Sequence, residues 1–440
     1  MADSTVSSCP CSYGIAMVTE FFYPRCGGVE IHVMSICREL IKRGHHVIVI
    51  TRYEGTCLGT RVFDNGLRAY YLPLENMTMG TIYPYFYCWM PAFRHILLRE
   101  RIRIVHYHQC TSVMFHTSIR EAEVLGIHTV YTDHSLMDSN SMAGVAINEV
   151  LRCYSCCMNA FICVSRADRD NFCQRQRFAS PPDNLHVIPN AVDSDRFRRD
   201  YRLHPLVTRV RKAFCSASSI TVVVLSRLVY RKGVCLLETV MNRTLASFPM
   251  VNFLVGGTGD EQERIQRLAD RWNRQCGARR VLVMGEIAHE EVAPFLSCGD
   301  IYLSCSLTES FNITVLEAFV SGCVIVSTNV GGVPELLPAS KGFFVSPTEE
   351  GLFRGIRAAI GDVQNNPVSH PRALSPEDEE ILRVYDWGEV TSRLLRVYKE
   401  VMKQPAVGWR EELRAFWKLG LGAFLLLSLD YLLVCLLNLF

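Results

Sequence analysis

The feature that most constrains this 440-residue chain is an alternation of short apolar runs with helix-length segments, played through twice. Residues 14–18, 46–51, 67–72, 104–107, 128–132 and 160–164 read as strands, with helical patterns such as 29–42 and 111–125 between them. A parallel crossover needs about a dozen residues and is usually a helix, so this alternation predicts a parallel sheet with helices on both faces. The pattern restarts at 220–225, 251–255, 281–284, 301–303 and 324–327. Between the halves, 193–219 is rich in arginine and polar residues and carries no strand signal. The expected architecture is α/β. A flexible N-terminus (1–12) precedes two doubly wound, Rossmann-like domains, 13–200 and 201–384. An amphipathic helix over 385–402 packs back on the first domain. Sheets of this class bind ligands at the carboxyl ends of their strands, so two such domains are expected to face a shared cleft.

Composition narrows the classes. Hydrophobic residues make up 49% of the chain, which excludes wholesale disorder. Lysine and arginine number 46 against 44 acidic residues, a net charge of +2, too small for nucleic-acid binding by bulk charge. The first 12 residues hold no apolar stretch of the kind a secretory signal needs, so the 19 cysteines are expected to stay reduced. Cys153, Cys156 and Cys157 lack a second pair at zinc spacing and read as thiols on a helix.

The end of the chain differs. Residues 419–440 carry one charged side chain, Asp430. At about 1.5 Å per residue, a helix over this run reaches roughly 33 Å, enough to cross a bilayer core. Arg410, Arg414 and Lys418 precede it, within a basic juxtamembrane linker over 403–418. The expectation is a single transmembrane helix with the large N-terminal part cytosolic, with a buried core helix as the alternative. Asp430 in mid-span would call for a partner helix or for local water. The aromatic run 83–93 is either a surface that dips into lipid headgroups or a helix packed inside the first domain.

Four motifs carry chemistry. Gly27 and Gly28 stand between the first strand and a helix, where backbone N–H groups approach an anion. They are not the Gly-x-Gly-x-x-Gly fingerprint of a dinucleotide site, which argues against a dehydrogenase. Arg227 and Lys232 follow the first strand of the second half. Two cations at a strand end suit a diphosphate, with plain surface charge as the alternative. Glu309 lies on a loop after a strand and Glu317 on the helix that begins near Asn312. The amides between them suit a phosphate, and the carboxylates suit hydroxyls at either end of a ligand. Two Asp-x-Asp pairs, Asp168/Asp170 and Asp193/Asp195, fall in a helix and an interdomain loop, not at a strand end where a metal site of that kind sits.

Together with Gly256-Gly257-x-Gly259 and Gly331-Gly332-Val-Pro-Glu335, these motifs resemble the retaining glycosyltransferases of the GT-B fold, family four. The segments around Thr132-Asp-His134, 187–193 and 226–233 narrow the resemblance to enzymes that transfer N-acetylglucosamine to phosphatidylinositol, the first step of glycosylphosphatidylinositol (GPI) anchor synthesis, on the cytosolic face of the endoplasmic reticulum membrane. The resemblance implies UDP-GlcNAc as donor, phosphatidylinositol as acceptor, further subunits and no nucleic acid. It implies that Arg227 and Lys232 neutralise the UDP diphosphate, and that amides of Asn312 and Ile313 help bind phosphate. Glu317 would hold the ribose, Glu309 the sugar near C3, and His134 the sugar near its C6 hydroxyl. Gly27, Gly28 and Gly257 would line the nucleotide-sugar site, and His134 and Glu309 would be catalytic. Retention would proceed on one face, the leaving phosphate assisting the incoming hydroxyl. With two cations at the diphosphate, no metal and no cofactor are expected. Two alternatives stand beside this: a lipid glycosyltransferase of the same family with another donor, such as a mannosyl donor, or a non-catalytic sugar-nucleotide-binding subunit.

Overall fold

The computed structural model describes residues 12–24, 27–74, 87–109, 113–137, 142–214, 219–366, 374–405 and 408–438. The chain forms two compact units. The first comprises Met1–Val164, Asp168–Ile188 and Val390–Phe440, the second Ser165–Ala167 and Pro189–Glu389.

The first unit is built on eight strands: β1 (Gly14–Thr19), β2 (His46–Arg52), β3 (Gly59–Val62), β4 (Arg68–Leu72), β5 (Ile104–His108), β6 (His128–Asp133), β7 (Ala160–Cys163) and β8 (Leu185–Val187). Their order is β3-β4-β2-β1-β5-β6-β7-β8. Every pair is parallel except β3–β4. The central strands are apolar runs because helices cover both faces. Two strands lie outside the sequence expectation. All four residues of β3 are exposed, so it needs no apolar run, and β8 has three residues, too few for a periodic signal. The helix Trp387–Val401 belongs largely to this unit and buries Val390, Leu394, Val397, Tyr398 and Val401 at helical spacing.

The second unit holds β9 (Ile220–Leu225), β10 (Val251–Gly256), β11 (Val281–Val283), β12 (Ile301–Ser304), β13 (Val324–Thr328) and β14 (Gly342–Val345). All pairs are parallel, in the order β11-β10-β9-β12-β13-β14. Counted within this unit the order is 3-2-1-4-5-6, that of a dinucleotide-binding sheet. The edge strand β14 consists of four half-buried residues, and its pattern does not signal a strand.

The C-terminal run departs from expectation. Among the described residues no helix is long and apolar enough to cross a membrane. The run forms the helix Leu421–Leu437. At about 1.5 Å per residue this is roughly 26 Å long, short of a bilayer core of about 30 Å. Gly420, at φ 108°, separates it from another helix, Trp409–Lys418, which occupies most of the segment expected to be a linker. Gly420 sets the start of the helix Leu421–Leu437, and Asp430 in its middle is held by protein groups. Its carboxylate is buried, accepts the Tyr87 hydroxyl proton and lies 3.6 Å from Arg120 Nε. Arg120 is itself fully buried and also pairs with Glu123 at 2.6 Å and Glu412 at 3.3 Å. The aspartate thus finds its partner inside the same unit instead of on a second membrane helix. Val434 joins the core of this unit, and Leu427 packs with Phe416 and Cys157. Residues 439–440 lie outside the described part, as do 83–86 of the aromatic run and the N-terminal residues 1–11. Trp89, Met90 and Phe93 from the rest of that run are core residues, which favours the packed-helix reading there.

Candidate active site

In each sheet the connections reverse direction at one point, between β1 and β5 in the first unit and between β9 and β12 in the second. Ligands of doubly wound sheets bind outside the strand ends at this switch. In the second unit the loop after β9 carries Arg227, which is exposed, and a short turn over Tyr230–Lys232. Gly233 follows at φ 71°, and a Cβ there would lie 1.8 Å from the Cys305 carbonyl oxygen. Glycine is therefore what allows this loop to press against the loop after β12. The Leu307 amide donates to the Arg231 carbonyl at 2.9 Å and joins the two loops.

That contact brings two expected site residues together. Lys232 Nζ lies 2.5 Å from Glu309 Oε1, and the Ser306 hydroxyl donates to the same oxygen at 2.7 Å. Ser306 is in turn held through its carbonyl, which accepts from the Thr328 hydroxyl at 2.6 Å. The Gly332 amide donates to the Glu309 carbonyl at 3.0 Å, so the Gly331-Gly332 motif fixes the backbone of this carboxylate. Asn312 sits at φ 70° and opens the helix Ile313–Val320, and a helix N-terminus is a place that favours an anion. Glu317 is buried inside that helix. Burial pushes its carboxyl up to about 7, against an opposing pull from Arg196. Gly257, at φ 120°, has no room for a side chain, since a Cβ would lie 1.8 Å from the Ser226 carbonyl oxygen.

In the first unit, Gly27 and Gly28 lie at the start of the helix Gly28–Lys42, directly after β1. A Cβ on Gly28 would meet nothing within 4 Å, so the position is open to a ligand. His134 follows β6 and meets two histidines that the motif reading passes over. His108 Nδ1 is 3.1 Å from His134 Nε2, and the His32 ring stands 4.9 Å from that of His134. Burial, then the neighbouring imidazoles, holds His108 and His134 well below the usual histidine range, so both are neutral at pH 7. The sequence signals only one neighbour within this group of rings. His106 and His108 are two apart on an apolar strand, which places them on one face.

The decoys have structural employment. Asp168 accepts from the Val164 amide at 3.0 Å, and Asp193 caps the helix Ser194–Phe197. Among the described residues, Cys153, Cys156 and Cys157 form no group of metal-ligating side chains, and the one such group is His32, His108 and His134.

Comparison with known proteins follows this division. The family model described as PIGA (GPI anchor biosynthesis) matches residues 52–141, which include His108 and His134. The model for glycosyl transferases group 1 matches residues 219–362, which include Arg227, Lys232, Gly257, Glu309 and Glu317. The chain is 34% identical over 426 residues to the phosphatidylinositol N-acetylglucosaminyltransferase gpi3 subunit of Schizosaccharomyces pombe, covering 96% of this chain and 89% of that one. This chain belongs to the gpi3 family of phosphatidylinositol N-acetylglucosaminyltransferase subunits. The human member of that family is 35% identical over 391 residues, covering 89% of this chain and 76% of its own. Among solved structures, sucrose-phosphate synthase from Thermosynechococcus elongatus aligns with a TM-score of 0.71 at 19% identity, over 88% of this chain and 99% of that one. Anabaena HepE in complex with UDP and glucose aligns at 0.65 and 17%, over 88% and 99%. Both support the same pair of Rossmann-like units, the GT-B glycosyltransferase fold, for this gpi3 family member.

Proposed function

We propose that this chain transfers N-acetylglucosamine from UDP-GlcNAc to phosphatidylinositol, with retention and without a metal at the diphosphate. It acts as one subunit of a larger transferase at the cytosolic face of the endoplasmic reticulum membrane. The observation that carries the reading is the contact of Lys232 with Glu309 at the switch point of the second sheet. A cation for a leaving diphosphate and an acceptor for sugar hydroxyls stand side by side there, next to a helix N-terminus. The names of the relatives supply the acceptor and the sugar.

In this reading Arg227 and Lys232 neutralise the charge that develops on the UDP leaving group, the largest electrostatic demand of the step. Amides of Asn312 and Ile313 take phosphate oxygens. Glu317 accepts from the ribose hydroxyls, and Glu309 and His134 hold the sugar near C3 and C6. Gly27, Gly28 and Gly257 let backbone approach the donor. The inositol hydroxyl attacks the anomeric carbon from the face that the phosphate leaves, and a leaving phosphate oxygen takes its proton. Microsomes from cells whose sole gpi3-type protein is this chain, given labelled UDP-GlcNAc and phosphatidylinositol, should form labelled GlcNAc-phosphatidylinositol, with and without EDTA. Incorporation from a mannosyl donor instead, or loss with EDTA and recovery with Mn²⁺, would overturn the reading.

A further inference from the structure

We propose that His32, His108 and His134 form a binding site for a borderline divalent transition-metal ion, with zinc as the reference case. All three belong to the first unit. His32 comes from the opening of the helix Gly28–Lys42, His108 ends β5, and His134 follows β6. They are 5%, 1% and 8% exposed. One ligand nitrogen from each lies within 4.8 Å of the other two. A tetrahedral ion about 2.0–2.1 Å from each nitrogen needs them roughly 3.4 Å apart. His108 Nδ1 and His134 Nε2 already stand 3.1 Å apart. The His32 ring meets both others edge-on, at 5.6 and 4.9 Å between centroids, so ring rotation is the movement that closes the set.

The chemistry of the donors agrees. The ligand nitrogen of His108 is Nδ1, the atom that faces His134 Nε2. Three imidazoles select zinc, cobalt, nickel or copper over magnesium, calcium or manganese, which prefer oxygen. His106 is not a fourth ligand. Its Nδ1 meets the Tyr398 hydroxyl at 2.7 Å and its Nε2 the Thr132 hydroxyl at 2.6 Å, while its ring lies 4.2 Å from that of His108 and supports it. Three protein ligands leave one position open for water or a hydroxyl. The ion is not a metal for the diphosphate, whose proposed cations Arg227 and Lys232 belong to the second unit. The site shares His134 with the residues proposed for transfer, and its test reads metal loading instead of activity, so failure of the one is distinguishable from failure of the other.

The test is metal loading of the full-length chain in detergent. Zinc X-ray absorption should show nitrogen neighbours at about 2.0–2.1 Å with an imidazole pattern. Cobalt should give visible ligand-field bands without thiolate charge transfer, and magnesium should not compete. His32→Gln and His108→Gln should each weaken loading at least about tenfold. Sulfur neighbours at about 2.3 Å would assign the ion to the chain's thiols and overturn the proposal. Undiminished loading in folded His32→Gln and His108→Gln proteins would do the same. The absorption spectrum of the unaltered chain decides the matter even if a variant does not fold.

Discussion

Lys232 and Glu309 close on one another at 2.5 Å, so the cation proposed for the leaving diphosphate holds the carboxylate proposed for the sugar. With Ser306 also bound to Glu309, the carboxylate is oriented before any donor arrives. On the proposed roles, a donor entering this site would exchange the Lys232–Glu309 pair for two contacts of its own, one to phosphate and one to sugar hydroxyls.

Lys232→Ala removes both the phosphate contact and the partner of Glu309. A charge-assisted hydrogen bond is worth roughly 1.5–3 kcal/mol, so transfer should fall about 10- to 150-fold with little change in thermal stability. Because the two side chains touch, the losses in Lys232→Ala and Glu309→Gln should not add, and a double-mutant cycle on transfer rate measures the coupling. Additive losses would separate the two roles.

Glu317 and Glu309 are expected to differ towards UDP alone. Glu317→Gln should weaken UDP as well as UDP-GlcNAc, since the ribose is common to both. Glu309→Gln and His134→Ala should leave UDP affinity nearly intact and lower turnover. Calorimetry with UDP reads the difference, and equal loss in all three variants would refute the division of roles.

The raised carboxyl of Glu317, about 7 against an ordinary 4.5, also fixes a pH dependence. A folded value above the unfolded one means that the group favours the fold below pH about 4.5. That contribution is lost as pH rises to about 7. Glu317→Gln should therefore be more stable than the parent at pH 8, by up to about 3 kcal/mol, and equal to it near pH 4. Ribose hydroxyls donate to the ionised form, so UDP-GlcNAc should bind the parent more tightly as pH rises from 6 to 8, and the variant should show no such slope. Melting curves and calorimetry across that range give both readings.

Gly233→Ala places a methyl group 1.8 Å from the Cys305 carbonyl oxygen at a backbone φ of 71°. The left-handed conformation alone costs about 1–2 kcal/mol for a residue with a Cβ, and the clash adds to it. The two loops must part, so the melting temperature should fall and transfer should be lost. Gly28→Ala, where a Cβ meets nothing within 4 Å, should fold normally, which makes the pair an internal control.

Arg120→Met leaves Glu123, Glu412 and Asp430 buried around a missing charge. Breaking a buried ion network in this way typically costs about 3–5 kcal/mol. Purified chain should melt earlier, and the helix Leu421–Leu437 should become sensitive to protease. An unchanged melting curve would mean that Asp430 does not dock on Arg120.

The two parallel sheets, and where their loops fall, are legible from the residues in order. Period and length carry that information locally, because an apolar run of five between helical stretches has few other uses. The same reading puts Arg227, Lys232 and Glu309 on loops after strands and Glu317 on a helix, as the fold has them. What stays open depends on who meets whom. The C-terminal run reads as a membrane span because hydropathy counts residues one at a time. Among the described residues the helix formed is not long and apolar enough to cross a membrane, and Arg120, more than 300 positions away in the chain, supplies a buried partner for Asp430. Strands β3 and β8 escape a periodic reading for a related reason: one is exposed and the other too short, and pairing with a neighbour defines them. His32, His108 and His134 are scattered over a hundred residues and form no motif. They become a cluster only because β1, β5 and β6 lie side by side in the sheet, an adjacency set by long-range packing and carried by no local stretch of the chain.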